Sequence, residues 1–151
     1  MTIAISPTTV SAAIAALSIS GVTLKDIDEI PESAQMLTPL IVPRPNDFIT
    51  NIKPEAKSFG SNGSELMDVS YSLNYVFCYT EIGSGINAFA PYSGLLSTLI
   101  LIINTILNND KINGLVDIQL ESIGDIGSIE DFAGNKFWGC NFSLRCLEFA
   151  Q

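Results

Sequence analysis

The segment from Pro91 to Asn109 is the most apolar part of this 151-residue chain. Apolar residues recur in it at the i, i+3, i+4 and i+7 spacing of a helix that buries one face, and only Leu101 and Ile102 interrupt that stripe. The segment is too long for a strand, and Pro91 suits a first helical position. Polar pairs interrupt it well before the roughly 20 apolar residues that a membrane span needs. We therefore expect a buried helix with strand pairs on both sides.

The buried stripe of this helix, together with two residues of the last strand, is the predicted core. Its members are Leu95, Leu96, Leu99, Ile100, Ile103, Ile106, Leu107, Trp138 and Phe142.

The chain has few charged side chains for a soluble protein. They make up 15% of the residues, whereas the usual value is about 25%. Either the core is unusually well filled or other subunits cover part of the surface. We prefer the second interpretation because apolar patches on soluble monomers are usually limited in size. The net charge of −9, without a run of basic residues, predicts no tight or sequence-specific binding to nucleic acid, which requires neutralising phosphates.

The sequence offers no catalytic, cofactor-binding or metal-binding motif. It contains no histidine, the commonest general base and metal ligand, and its acidic residues lack the spacing of a calcium loop. Cys78, Cys140 and Cys146 lie inside apolar runs and are predicted to be reduced core residues. Polar residues interrupt the apolar N-terminal stretch, so we expect no signal peptide and a reducing, cytosolic site of folding. No enzyme activity and no cofactor are expected.

Periodicity elsewhere predicts one more helix and four strands. The first helix starts at Pro7 and stops at Ser20-Gly21. Residues Met36–Val42 have the composition of a strand, but Pro39 makes it an edge strand or a broken one. Alternation predicts three further strands, with aromatic residues along one face of the first: Asp68–Tyr79, Leu115–Ile123 and Trp138–Phe149. Acidic residues 23–33 and glycine-containing residues 124–135 are expected to be loops.

These elements predict a single α+β domain spanning residues 1–151. Their order is α-β-β-α-β-β, and they form a mainly antiparallel four-stranded sheet packed by two helices. A long loop joins the first two strands.

That long loop, from Arg44 to Glu65, has little periodicity and a tip rich in Gly, Ser and Asn. Loops of such length are usually functional or disordered. Because it also concentrates basic residues in an acidic chain, we expect it to be a docking arm, with a simple flexible loop as the alternative. The candidate docking residues are Arg44, Lys53, Lys57, Phe59, Gly60, Asn62, Gly63 and Glu65.

The element order and three segments resemble the tail-terminator, or tail-completion, proteins of tailed bacteriophages. The segments are MLTPLIVPRP entering the long loop, the aromatic strand DVSYSLNYVFCY, and the closing strand FWGCNFSLRCLEF. The resemblance covers most of the chain and rests on the order of the elements and on the amino-acid patterns of these three segments. It implies a structural virion protein that forms a ring, usually hexameric, stops growth of the tail tube and joins the tail to the head.

The same resemblance implies the partners and the location of the protein. Its partners would be copies of itself in the ring, the tail-tube protein, and a neck or completion protein on the head side, with no membrane involved. It would lie in the neck of the virion at the top of the tail, after assembly in the cytoplasm of the bacterial host. Two alternatives stay open: another neck or adaptor ring protein, such as a head-completion protein, and a small α+β ligand-binding module or enzyme, which a closed apolar pocket with convergent polar groups would indicate.

Overall fold

The computed structural model describes residues 6–54, 68–83, 89–112, 116–131 and 133–149. This part of the chain is a mixed α+β fold of two α-helices and one eight-stranded sheet. In chain order the elements are α1 (Pro7–Ala15), β1 (Thr23–Leu24), β2 (Leu40–Pro43), β3 (Ile49–Pro54), β4 (Val69–Glu81), α2 (Tyr92–Leu107), β5 (Lys111–Ile112), β6 (Val116–Ile123), β7 (Gly127–Glu130) and β8 (Lys136–Glu148). A 3₁₀ turn at Ile27–Glu29, capped by Asp26, lies in the acidic segment.

Two long antiparallel strands, β4 and β8, form the centre of the sheet. Each has 13 residues, and their register runs from Val69 opposite Glu148 to Glu81 opposite Phe137. Two shorter strands flank each of them: β2 and β3 lie along β4, and β6 and β7 lie along β8. The small strand β1 pairs with β2 in parallel, whereas β5 pairs with β6 antiparallel.

The predicted four-stranded sheet and α-β-β-α-β-β order are therefore wrong. A strand of 13 residues extends about 43 Å at roughly 3.3 Å per residue, so one short neighbour leaves part of its backbone unpaired. The strand β3 fills that edge from within the supposed loop 44–65, and β7 does the same from within 124–135. Neither strand has a regular apolar alternation that would predict it from the sequence. Each forms because the edge of the neighbouring long strand supplies hydrogen-bond partners for its backbone.

The predicted position of the first strand also needs correction. Strand β2 lies inside the sheet, between β1 and β4, and all four of its residues are buried. Pro39 precedes the strand and Pro43 is its last residue, so neither ring interrupts the middle of the ladder. Proline is compatible with a sheet at such terminal positions.

The main core lies between the helices and one face of the central strands. Alternate residues of β4 point into it, as the sequence pattern predicts: Val69, Tyr71, Leu73, Tyr75 and Phe77. A second, smaller core lies on the opposite, helix-free face of the sheet. There Val76 and Cys78, from the C-terminal half of β4, pack with Leu40, Val42, Ala34 and Phe137. The sheet is thus covered on one face by helices and on part of the other by the turn that contains Ala34.

Candidate assembly surface

One narrow stripe of α2 packs against the sheet. Its residues are Leu95, Leu99, Ile102 and Ile106, all of which are buried. At about 100° per residue, these four positions lie within an arc of about 60°. Ile102, which is predicted to interrupt the stripe, is therefore one of its four buried members.

A second apolar stripe of α2 lies beside the first, and its member Ile103 still packs against the main core. It consists of Leu96, Ile100, Ile103 and Leu107, and we call it the outer stripe. Ile100 and Leu107 are 58% and 51% exposed, and Leu96 and Ile103 are half-buried. The prediction that all four belong to the core needs correction for Ile100 and Leu107, because the two stripes together span an arc too wide for one flat sheet to cover. By contrast, Trp138 and Phe142 are buried.

The outer stripe repeats the spacing of the buried one. Both follow i, i+4, i+7 and i+11, the alternation of four and three residues that lets one helix pack along another apolar surface. This repetition was visible in the sequence. From the sequence alone, however, the two stripes form one broad apolar face, and the pattern does not show which of them packs against the sheet.

Three polar side chains in α2 or just after it donate to carbonyl oxygens of the preceding helical turn. Ser97 Oγ donates to the carbonyl oxygen of Ser93 at 3.1 Å, Thr105 Oγ1 donates to that of Leu101 at 2.8 Å, and Asn109 Nδ2 donates to that of Thr105 at 2.8 Å. Moreover, no Asp, Glu, Lys or Arg occurs between Tyr92 and Leu107. The outer stripe itself consists of Leu and Ile only, so covering it with another protein removes no charged or polar side chain of that stripe from water.

A polar network occupies the helix-free face beside the smaller core. Arg145 of β8 is at its centre and donates from Nη1 to Ser72 Oγ at 3.2 Å and from Nη2 to Ser70 Oγ. Ser72 Oγ donates in turn to Glu121 Oε2 at 2.8 Å. The guanidinium lies 3.9 Å from the same carboxylate oxygen. This arrangement joins β4, β6 and β8 and leaves the arginine engaged with protein groups, so it fits a structural role better than anion binding.

A second part of this network fixes β3 to the sheet. Asn74 Nδ2 donates to the carbonyl oxygen of Asp47 at 2.8 Å and to Thr50 Oγ1 at 3.0 Å, while Asn74 Oδ1 accepts from Ser143 Oγ. The chain between Phe48 and Pro54 is therefore held against β4 by side chains as well as by its ladder. Asn51 has a positive φ of 54° at the bulge in this strand.

The structure divides the predicted docking arm into two parts. Arg44 forms an ion pair with Asp47 at 2.8 Å, and Lys53 is an exposed residue of β3 in register with Ser70. These two basic residues thus lie on an ordered part of the sheet edge, which corrects the prediction of one continuous loop. The other docking candidates, Lys57, Phe59, Gly60, Asn62, Gly63 and Glu65, lie outside the described residues, and their role stays a prediction.

Asp131 is a buried carboxylate that the sequence analysis did not single out. It joins the turn after β7 to the segment before β2: Oδ2 accepts from the Ala34 amide at 2.9 Å, and Oδ1 accepts from the amides of Ala133 and Asn135 at 2.9 and 2.8 Å. Burial by itself raises the pKa of Asp131, but these hydrogen bonds outweigh burial and hold the pKa below its usual value. The carboxylate is therefore ionised at neutral pH and acts as a clamp.

A buried polar cluster lies beneath α1. Both oxygens of Glu148 accept from the backbone amide of Ser6, at 2.9 and 2.8 Å, and Ser11 Oγ donates to Asp26 Oδ1. The hydroxyls of Tyr71 and Tyr75 lie beside Glu148 and Ser11, respectively, without a well-formed hydrogen bond. Burial raises the pKa of both tyrosines far above its usual value. They stay protonated, so this cluster anchors α1 to the sheet and supplies no tyrosinate base.

The three cysteines are free and buried. Cys78 lies in the smaller core, whereas Cys140 and Cys146 lie in the main core on the other face of the sheet. Burial raises the pKa of Cys78 and Cys146 to about 12 and that of Cys140 to about 11. Nucleophilic cysteine chemistry requires a thiolate. Burial of these three side chains disfavours the thiolate form.

Two surface cavities are lined by described residues. One, of about 340 Å³, lies between Arg44, Asp47, Val76, Asp131 and Asn141, and the other, of about 240 Å³, lies between α1, α2 and β6. In the described ranges, no group of three or more Cys, Asp or Glu side chains is placed to hold a metal ion. Neither helix of those ranges is long and apolar enough to cross a membrane.

The outer stripe of α2 is thus an uncharged apolar surface in which Ile100 and Leu107 are more than half exposed. Comparison of the sequence with models of known protein families finds no match, and comparison with curated proteins finds no significant one.

Proposed function

We propose that this protein is a structural subunit that assembles with copies of itself into a ring, in the manner of a phage tail terminator. The observation that carries the proposal is the outer stripe of α2, an uncharged apolar surface with Ile100 and Leu107 more than half exposed. Apolar side chains that are grouped on a protein surface are candidates for an interaction site.

The charge of the chain favours a second copy as the partner at this surface. Each copy carries a net charge of −9, so two copies repel each other through most of their surfaces. The outer stripe is free of that repulsion because α2 contains no charged residue. Like-charged copies therefore approach each other most easily there, and the apolar contact then stabilises the pair.

The role of the ring follows from the resemblance described above. In this proposal the ring sits in the neck of a virion, stops growth of the tail tube and contacts the tail-tube protein on one side and a head-side neck protein on the other. An acidic subunit suits a channel through which DNA passes, because carboxylates on the wall repel phosphates. A neck or adaptor ring of another kind is supported by the same surface, and its neighbours in the virion distinguish it.

The test is whether the purified protein forms rings and whether the outer stripe holds them together. Native mass spectrometry and negative-stain electron microscopy of the unmodified chain should show a closed oligomer, with six subunits expected from the resemblance. Ile100→Asp should shift the protein to monomers, since it places a charge on an apolar contact. Ser97→Asp is the matched control, because it adds the same charge on an exposed part of α2 outside both stripes.

Rings that dissociate with Ile100→Asp and persist with Ser97→Asp support the proposal. A chain that is monomeric at every concentration overturns it, and rings that survive Ile100→Asp show that another surface forms the contact. Electron microscopy of tails assembled with and without the ring-forming protein then separates a terminator from other neck proteins, since only loss of a terminator gives overlong tails.

A further inference from the structure

The first helix, α1, is anchored to the sheet by few side chains. It has nine residues, of which only Val10, Ser11 and Ile14 are buried. An isolated helix of this length is unstable in water, and Ser6 at its start makes no side-chain capping hydrogen bond. The helix therefore depends on its contacts with the rest of the fold to remain a helix.

The surface beneath α1 contains two polar groups that the folded chain leaves unsatisfied. The hydroxyl groups of Tyr71 and Tyr75 are buried without a well-formed hydrogen bond. Ser11 lies beside Tyr75, and Glu148, which accepts from the Ser6 amide, lies beside Tyr71. A buried hydroxyl without a partner is costly, and it regains hydrogen bonds when water reaches it. Detachment of α1 would return both hydroxyl groups to water, which lowers the cost of detachment.

One side of α1 also lacks close neighbours. The cavity of about 240 Å³ between α1, α2 and β6 lies along Ala13, Ile14 and Leu17. Side chains that line a cavity lose the dispersion contacts that a packed neighbour would give them. The attachment of α1 is thus weakened from below by the unsatisfied hydroxyl groups and from one side by open space.

A hinge is available where α1 joins the rest of the chain. Ile19 is buried in the main core, and the turn that follows it is closed by the amide of Val22, which donates to the carbonyl oxygen of Ile19 at 3.1 Å. The chain is therefore fixed from Ile19 onward. Residues 16–18 connect α1 to this fixed point, and Ala16 and Ser18 are exposed. A few residues at the end of an element are enough to absorb the backbone rotation of a hinge.

We propose that α1 is a hinged cover, which detaches as a unit from β4 and β8 while α2 and the sheet stay folded. Opening uncovers a row of side chains that crosses the sheet beside α2, because Tyr71 of β4 and Ile118 of β6 are both in register with Cys146 of β8. The domain thereby has a further apolar surface that is exposed only in the open state. The proposal concerns one chain by itself and does not rest on the self-assembly proposed above.

Cys146 reports the opening, because it lies in the uncovered row and close to both tyrosines. Cys140 lies farther along β8, in register with Phe77, and Cys78 lies on the other face of the sheet. If α1 opens locally, a thiol reagent in native buffer should label Cys146 about tenfold faster than the other two, although slowly in absolute terms. Peptide mass spectrometry measures the three rates.

Thiol acidity by itself predicts the opposite order for the two cysteines of β8. Burial raises the pKa of Cys146 to about 12 and that of Cys140 to about 11. Because the thiolate is the reactive form, Cys140 would react faster if both thiols were equally accessible. Faster labelling of Cys146 is therefore a measure of access.

Two glycine variants separate local opening from global unfolding. Ala12→Gly, at an exposed position of α1, should raise the labelling rate of Cys146 about fivefold, because glycine lowers the stability of a helix. Ser97→Gly, at an exposed position of α2, is the matched control. It should leave the labelling rate of Cys146 unchanged, since α2 stays folded in the open state. Low concentrations of urea should also change this rate little, because detachment of one short helix exposes little surface.

The outcomes decide the proposal independently of the oligomeric state. Cys146 that reacts no faster than Cys140 overturns it. A labelling rate of Cys146 that rises with Ser97→Gly, or that follows the global unfolding free energy in urea, also overturns it, because the thiol is then reached only by global unfolding. Selective labelling of Cys146 that is accelerated by Ala12→Gly and insensitive to Ser97→Gly supports it.

Discussion

Gly127 and Gly139 face each other across the β7–β8 ladder, but only Gly139 lies against another backbone. A Cβ on Gly139 would overlap the carbonyl oxygen of Phe77 in β4, whereas a Cβ on Gly127 would meet nothing within 4 Å. The same residue type thus has two different reasons to be present in one pair of strands. The close approach at Gly139 lets the two central strands pass each other next to the bulge between Cys78 and Thr80.

Gly139→Ala should therefore destabilise the fold strongly. The main chain of β4 or β8 must shift to admit the methyl group, and overpacking of this kind costs about 3 kcal/mol. Gly127→Ala should change the unfolding free energy by less than about 1 kcal/mol, in the stabilising direction, because alanine has fewer unfolded conformations. Urea denaturation of both variants measures the difference, and equal midpoints would mean that the central strands are farther apart than described.

Leu99→Asp and Ile100→Asp form a matched pair on neighbouring positions of α2. Leu99 is 3% exposed and Ile100 is 58% exposed. A carboxylate at Leu99 should prevent folding, since the cost of burying it is comparable to a typical stability of roughly 5–15 kcal/mol. The Ile100 variant should keep the circular dichroism spectrum of the parent chain. Loss of structure in both variants would show that the outer stripe is part of the core.

Asp131→Asn should weaken the fold in a pH-dependent way. The native pKa of Asp131 is lowered by its hydrogen bonds, so its charge contributes stability that is complete above the unfolded pKa of about 3.9. That contribution is lost as the pH falls through the lower native pKa. The unfolding free energies of the parent and the variant should differ by about 2–3 kcal/mol at neutral pH, because the charged acceptor is lost. The difference should begin to shrink as the pH falls below about 4 and should vanish only below the lower native pKa of Asp131.

The control for this experiment is Asp125→Asn, at an exposed position close to the same strands. It should leave stability nearly unchanged at every pH. A constant gap between the parent chain and Asp131→Asn across the pH range would mean that the shape of the side chain, and not its charge, forms the clamp.

Cys78, Cys140 and Cys146 should be slow to react in the folded protein. Each thiol is buried, and its pKa of about 11–12 keeps it protonated at pH 8. A thiol reagent should label none of them rapidly in native buffer and all three after unfolding without a reductant. A total of one would reveal a disulfide and contradict the structure, in which Cys78 lies on the opposite face of the sheet from the other two and Cys140 and Cys146 are six residues apart in one strand.

Local sequence patterns were sufficient to predict an element where one of its faces packs against a core. Alternation along β4 correctly gave the residues from Val69 to Phe77 that face the main core, although the other face of the strand is buried as well. The 3.6-residue period located α2 to within two residues of its observed ends. These patterns are informative because burial selects side chains by face, independently of which partner provides the burial.

The tertiary structure decided the features that depend on a neighbour. Strands β3 and β7 form because the backbones of β4 and β8 offer them hydrogen-bond partners. The sequences of β3 and β7 carry no apolar alternation that would predict them. Asp131 is a clamp because folding brings Ala34 to it from 97 residues away. Likewise, the sequence of α2 contains two apolar stripes with the same spacing, and only the position of the sheet determines that Ile102 is buried and Ile100 is exposed. A sequence pattern records that a side chain is apolar, whereas the geometry of its neighbours determines which apolar surface is still exposed.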